Sequence, residues 1–214
     1  MKSARRGLGL DDLQSGFWGA AVRPVWPRAY LPVVERIAVI GCGGAGKTML
    51  SRRVGELLNV PVVHLDAHYW RSVDGGLVEL TAERWVERHR ELVAGERWVI
   101  DGMKLGVLPD RLACADTVIY LDVSTWACLS GIVRRRLRFR GQLRPVLGVY
   151  DRINWEFVRW VWSFRRRRRP RILELLAGYD GTVIIVRRRR DAERLLGDLV
   201  CGGHRHQDQV GSPG

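Results

Sequence analysis

The stretch Gly41-Cys42-Gly43-Gly44-Ala45-Gly46-Lys47-Thr48 constrains this chain more than any other. Its glycines let the backbone curl tightly with no Cβ in the way. Successive backbone N–H groups then point into the concave side and make an anion nest. A helix starting there adds its positive N-terminal end. The residues read G-x-x-x-x-G-K-[ST], the P-loop pattern, in which Lys47 reaches the β- and γ-phosphates and the Thr48 hydroxyl holds Mg²⁺. The competing reading is a glycine-rich turn without chemistry, and the flanks speak against it. Arg36 to Ile40 is a short β-branched run suited to a buried parallel strand, and Leu50, Val54, Leu57 and Leu58 recur at helical spacing. The candidate nucleotide contacts are Gly41, Cys42, Gly43, Gly44, Ala45, Gly46, Lys47, Thr48 and Met49.

Further strand-like runs end in carboxylates. Pro61 to Asp66 ends in Asp66, Arg97 to Gly102 in Asp101-Gly102, and Asp116 to Asp122 in Asp122. Ligands of open α/β sheets bind beyond the carboxyl ends of the strands, so these acids are expected on the P-loop rim. Asp101 reads as a Walker B carboxylate that works with Mg²⁺ alongside Thr48. Asp66 is either a functional residue on that rim or a helix or turn cap. Asp122, followed by Ser124, could equally shape the next helix start. Residues 67 to 80, with Gly75 and Gly76, read as a loop. Thr81 then caps a helix whose apolar face is Trp85, Val86, His89, Leu92 and Val93, with His89 packed rather than ligating. Gly181 to Val186 is a fifth strand, and Ala192, Leu195, Leu196, Leu199 and Val200 mark a last amphipathic helix.

Between the fourth and fifth strands the chain becomes arginine-rich. A helix over Ser124 to Phe139 is expected to bury Trp126, Leu129, Val133 and Leu137. Arg134, Arg135, Arg136, Arg138 and Arg140 crowd its end, more cations than a helix C-terminus needs. Gly141 to Asn154 reads as a loop, and a lid closing over phosphates would look like this. An aromatic helix from Asn154 to Phe164 follows, with Trp155, Val158 and Trp162 on one face, flanked by Phe157, Val161 and Phe164. For the run Arg165 to Arg169, a solvated face, a nucleic-acid patch and a phosphate contact at the lid hinge stay open.

The whole chain has 214 residues, enough for one domain with appendages, and a net charge of +13 that would attract nucleic acid, anionic membrane or phosphate-rich ligands. No 18-residue apolar run is present, so no integral membrane segment is expected. Arg5-Arg6 is followed by no apolar segment, so a secretory signal is not expected either. Cys42, Cys114, Cys128 and Cys201 lie far apart, which fits neither a zinc site nor a disulfide framework and suits a reducing cytoplasm. Residues 1 to 33 read as a flexible extension, 34 to 201 as the folded domain with a lid over about 138 to 154, and 202 to 214 as a disordered tail.

Taken in order, G-C-G-G-A-G-K-T, V-V-H-L-D, W-V-I-D-G, A-D-T-V-I-Y-L-D, R-R-R-L-R-F-R-G and the Trp/Arg helix resemble the bacterial DNA topology-modulation proteins, a branch of the adenylate-kinase-like P-loop proteins. The resemblance covers about residues 35 to 200. It implies a three-layer α/β fold with a five-stranded parallel sheet, order 2-3-1-4-5, flanking helices and an arginine-bearing lid. It also implies ATP and Mg²⁺, with Arg136, Arg138 and Arg140 as phosphate clamps. In related small-metabolite kinases an acid at the position of Asp66 contacts the acceptor. Met103-Lys104 stands where nucleoside monophosphate kinases continue with Phe-Pro-Arg, a departure from a nucleotide acceptor. The leading expectation is a kinase of an unidentified small molecule, with Lys47, Asp66, Asp101, Arg136, Arg138 and Arg140 as catalytic candidates. The alternatives are an ATP-binding regulator acting on DNA through its arginine clusters, and a bare NTPase.

Overall fold

The computed structural model describes residues 34–73, 76–139 and 155–207. The expected extension 1–33, Arg140 and most of the expected lid lie outside them, as do residues 208–214.

Strand β1 (Arg36–Gly41) is the centre of the fold. Its residues from Ile37 onward are buried because both of its faces are covered and both of its edges are paired. On one side lie β5 (Trp98–Asp101) and then β2 (Val62–His64), and on the other β6 (Thr117–Leu121) and then β7 (Thr182–Val186). Every pairing in this five-stranded sheet is parallel. Counted within the sheet the order is 2-3-1-4-5, as expected. Two further strands, β3 (Trp70–Val73) and β4 (Gly76–Glu79), form a separate antiparallel hairpin. They replace the loop expected over 67 to 80.

The helices are α1 (Lys47–Leu58), α2 (Leu65–Tyr69), α3 (Ala82–Val93), α4 (Leu108–Cys114), α5 (Thr125–Phe139), α6 (Trp155–Arg167), α7 (Arg169–Ala177) and α8 (Arg189–Gln207). Thr81 caps α3 as expected, its Oγ1 accepting from the Arg84 N–H at 3.4 Å, and α3 buries Trp85, His89 and Val93. Helix α4, with Pro109 in its first turn, and helix α7 were not foreseen. Helix α8 runs through Gln207, past the boundary expected at 201. Among the described residues no helix is long and apolar enough to cross a membrane.

Two helices turn a different face inward from the one expected. In α5, Trp126, Val133 and Leu137 are exposed and of the expected stripe only Leu129 packs against the core, while Cys128 and Ile132 are buried. The cause is close packing. A Cβ on Gly131 would collide with the Gly44 carbonyl, and one on Gly44 with the Cys128 carbonyl. Helix α5 meets the P-loop backbone directly, so small residues go inside and bulky ones are turned out. In α6, Val161 and Phe164 are buried, while Trp155 and Trp162 are 75% and 58% exposed. Trp162 and Trp126 meet edge to face at 5.4 Å on the outside. Leu57 of α1 is likewise exposed, because Gly55 carries the tight contact with Val62.

Candidate functional site

The chain leaves β1 at Gly41, passes through the P-loop and enters α1 at Lys47. Gly46 precedes the helix at φ +101°, a left-handed conformation that favours glycine, and a Cβ there would point into open space. Among the described residues no side chain caps α1. Its first-turn N–H groups are therefore free to bind an anion. The Lys47 Nζ donates to the Cys42 carbonyl at 3.0 Å, across the mouth of the loop. Phe157 of α6 packs against Gly43, where a Cβ would stand 2.7 Å from its ring. The Cys42 thiol shares a hydrogen bond with Cys128, which together with burial pushes it up from its ordinary value. An uncapped helix start, a glycine cradle and a lysine fit the phosphates of ATP.

Asp101 ends β5, only 4% exposed, in register with Val39 two residues before Gly41. One of its oxygens lies 3.0 Å from the Nδ1 of His64, the last residue of β2. Gly102 then turns off the strand at φ +144°, pressed against Leu65. Its carbonyl accepts from the Nη2 of Arg111 at 3.0 Å. Arg111 is fully buried, and its Nε and Nη1 have no hydrogen-bond partner among the described residues. Burial pushes its guanidinium down to about 10, with the charges of Asp101 and Asp66 opposing that. His89 packs nearby, both ring nitrogens unpartnered, pushed down to about 4 by burial first and by Arg111 second. A neutral imidazole beside a buried cation avoids a second charge in the same space. The Thr48 hydroxyl and the Asp101 carboxylate are hard oxygen donors of the kind Mg²⁺ takes.

Asp66 does not end a strand. Strand β2 stops at His64, and Asp66 sits exposed in the first turn of α2, where an acid suits the helix start. Its charge still reaches both Lys104 and Arg111. Lys104 lies over the Tyr69 ring, 3.2 Å from its centroid, and the Tyr69 hydroxyl donates to Glu79 at 2.7 Å.

Asp122 does not shape a helix start either. Ser124 does that, its Oγ accepting from the Ala127 N–H at 3.2 Å. Asp122 is buried and accepts from the Nε of Arg169 at 3.0 Å, with Arg165 at 3.8 Å. This bond raises the Arg169 pKa. Two arginines of the Arg165–Arg169 run therefore turn toward the sheet. Arg168 lies over the Trp160 ring at 5.6 Å. Arg136 and Arg138 are exposed in the last turns of α5, roughly 12 and 15 Å along the helix from Cys128. Arg189 lies closer to the P-loop, donating to the Ala127 carbonyl at 3.4 Å.

His64, Lys104, Arg111, Arg169 and Arg189 were given no individual role from sequence, although Arg169 fell in the run for which a phosphate contact stayed open. The strand-end rule held a usable signal for two of them, because His64 ends β2 and Arg189 follows β7. Arg111 and Arg169 sit on the two helices that were not foreseen.

No protein-family model matches the sequence, and the curated proteins give no significant match. Solved structures do resemble the chain. A shikimate kinase from Acinetobacter baumannii is 18% identical and superimposes with a TM-score of 0.52, covering 81% of this chain and 94% of its own. A gluconokinase from Sinorhizobium meliloti 1021 is 14% identical with a TM-score of 0.48, covering 84% of this chain and 97% of its own. The first of these likenesses, together with the sheet order, shows that the chain shares the fold of that kinase, a five-stranded parallel sheet flanked by helices.

Proposed function

We propose that this protein is an ATP-dependent kinase of a small hydroxylated molecule. The observation that carries the reading is the convergence at one sheet edge. The uncapped P-loop helix follows β1, and the buried Asp101 ends the strand beside it. Asp66 lies at the start of α2, just beyond the end of β2, and is the acid this reading assigns to the acceptor. Solved kinases that act on small metabolites, such as the shikimate kinase above, share this fold.

In the proposed reaction an acceptor hydroxyl oxygen attacks the γ-phosphorus of ATP. The bond from that phosphorus to the β–γ bridging oxygen breaks, and ADP leaves. Lys47 stabilises the charge on the transferring group, and Gly41 to Met49 hold the phosphates. Asp66 orients the acceptor hydroxyl and takes its proton. Thr48 and Asp101 would hold Mg²⁺, which when bound neutralises phosphate charge. His64 and Arg111 fix the Asp101–Gly102 corner from either side. Arg136, Arg138 and Arg140 remain lid candidates. Arg165 and Arg189 are nearer to the loop, since both charges reach Cys128. Cytoplasmic residence belongs to the same proposal, as Cys42, Cys114 and Cys128 are free thiols.

Action on DNA is the rival reading, drawn from the topology-modulation resemblance. Arg165 and Arg169 pair with Asp122, which reduces the surface patch such a role needs.

The test is ADP release with ATP and Mg²⁺, alone, with a panel of phosphorylatable metabolites, and with plasmid, each against Lys47→Ala. One metabolite should stimulate release in the native protein and not in the variant. Stimulation by plasmid alone would transfer the reading to DNA.

A further inference from the structure

Helices α5 and α6 pack side by side and turn large apolar side chains outward. On α5, Trp126, Val133 and Leu137 fall within about 40° around the helix, and on α6, Trp155 and Trp162 fall within about 20°. All of them are more than half exposed. Trp126 and Trp162, edge to face at 5.4 Å, join the two stripes into one surface. The other large apolar side chains exposed among the described residues, Met49, Leu57 and Val78, lie on α1 and β4. Single exposed apolar residues are ordinary, but a concentration of them marks a contact surface.

The charge on this surface has one sign. Arg159 and Arg166 share the outer face of α6 with its tryptophans, and Arg134 and Arg138 flank the stripe of α5. These arginines are exposed, and among the described residues none of them forms an ion pair. Helix α5 contains no acid, and Glu156 of α6 lies about 100° around the helix from Trp155. Tryptophan settles at the boundary between lipid headgroups and hydrocarbon. Val133 and Leu137 gain from hydrocarbon and have no ring on which a nucleic-acid base could stack, and Trp126 and Trp162 are already set against each other. A second copy would bring like charges face to face. Lipid phosphates accept bidentate hydrogen bonds from the same arginines, whose stems lie along apolar surface.

We propose that this face of α5 and α6 docks the protein on an anionic lipid bilayer, with Trp126, Trp155 and Trp162 at the headgroup boundary and Arg134, Arg138, Arg159 and Arg166 on lipid phosphates. The net charge of +13 draws the chain to such a surface, and the apolar stripes hold it there. Docking of this kind needs no phosphoryl transfer and stands apart from the kinase reading.

The test is sedimentation of the full-length protein with vesicles of phosphatidylcholine alone and of phosphatidylcholine mixed equally with phosphatidylglycerol. The native chain is compared with the double variants Trp155→Ser/Trp162→Ser and Arg159→Gln/Arg166→Gln. Binding to the anionic vesicles should exceed binding to the neutral ones, and each double variant should bind them about tenfold more weakly with its ATP affinity unchanged. A basic chain adsorbs to any anionic surface through charge alone, so the tryptophans carry the decision. Phosphatidylglycerol brominated on its acyl chains should quench the protein's tryptophan fluorescence, and Trp155→Ser/Trp162→Ser should lose about half of that quenching. If that pair does not fold, Trp155→Ser alone, at a position 75% exposed, should still weaken binding and quenching measurably. No preference for anionic vesicles, no quenching, or undiminished vesicle binding after loss of the tryptophans overturns the proposal. Two further arms name other occupants. A single-stranded oligonucleotide held through these tryptophans, with vesicle binding indifferent to them, gives the face to nucleic acid and overturns the lipid assignment. A dimer in sedimentation velocity that the tryptophan variant abolishes, without vesicle binding, gives it to a second copy and overturns it equally.

Discussion

The proposed nucleotide side and the proposed acceptor side of the site are built by different means. Backbone makes the nucleotide side. Gly44 and Gly131 let the loop and α5 touch main chain to main chain, and β1 beneath them is buried. Side chains make the acceptor side. There, a five-residue helix and a two-stranded hairpin carry Asp66, Tyr69 and Glu79, and Lys104, just beyond β5, reaches Tyr69. Phosphates are common to many enzymes and suit a fixed cradle of N–H groups. An acceptor is particular to one enzyme, and short exposed elements can change without disturbing the sheet.

The contrast can be broken or sharpened by experiment. Gly44→Val should be the most damaging change, because a Cβ there meets the Cys128 carbonyl and φ is +79°. A loss of about 4 kcal/mol in urea unfolding, with ATP affinity abolished, is expected. Normal ATP binding in this variant would mean that the cradle is not fixed by α5. Arg111→Ala comes next, since it opens a cavity and leaves the Gly102 carbonyl unpaired. About 3 kcal/mol should be lost, and transfer should fall more than ATP affinity.

His89 tests the packing behind both sides through pH. Its folded pKa of about 4 lies below the ordinary 6.5, so the unfolded chain binds the extra proton first as pH falls. The His89 contribution should be constant above about pH 7.5 and decline toward pH 4, by about 3 kcal/mol, and His89→Leu should flatten that slope. An unchanged slope in the variant would assign the acid sensitivity elsewhere. Tyr69→Phe should matter least for folding. It removes one exposed hydrogen bond to Glu79, and less than about 1 kcal/mol should follow. A larger loss would show that the hairpin is a structural part of the domain rather than a variable attachment.

The same contrast separates what was legible in the sequence from what was not. The P-loop, the buried strands and Asp101 announce themselves, because their signals are local: a glycine pattern, a β-branched run and an acid at its end. Asp66 was singled out, with a helix or turn cap weighed beside its functional reading, yet the end of β2 already at His64 was not, since a three-residue edge strand carries little periodicity. The stripe of Trp126, Val133 and Leu137 was read as core because its spacing is helical and its residues are large. Helical spacing says which residues share a face, not which face the neighbour takes.

The sequence alone therefore determined a phosphate cradle on a parallel sheet, because glycine torsions and strand burial are written within a few residues. Tertiary structure decided the rest. The approach of α5 to the loop chose its small face over its aromatic one. The return of α7 gave Asp122 to Arg169, and the turn after β5 set Lys104 on Tyr69. Each of these joins residues far apart in the chain, and only packing brings them within reach.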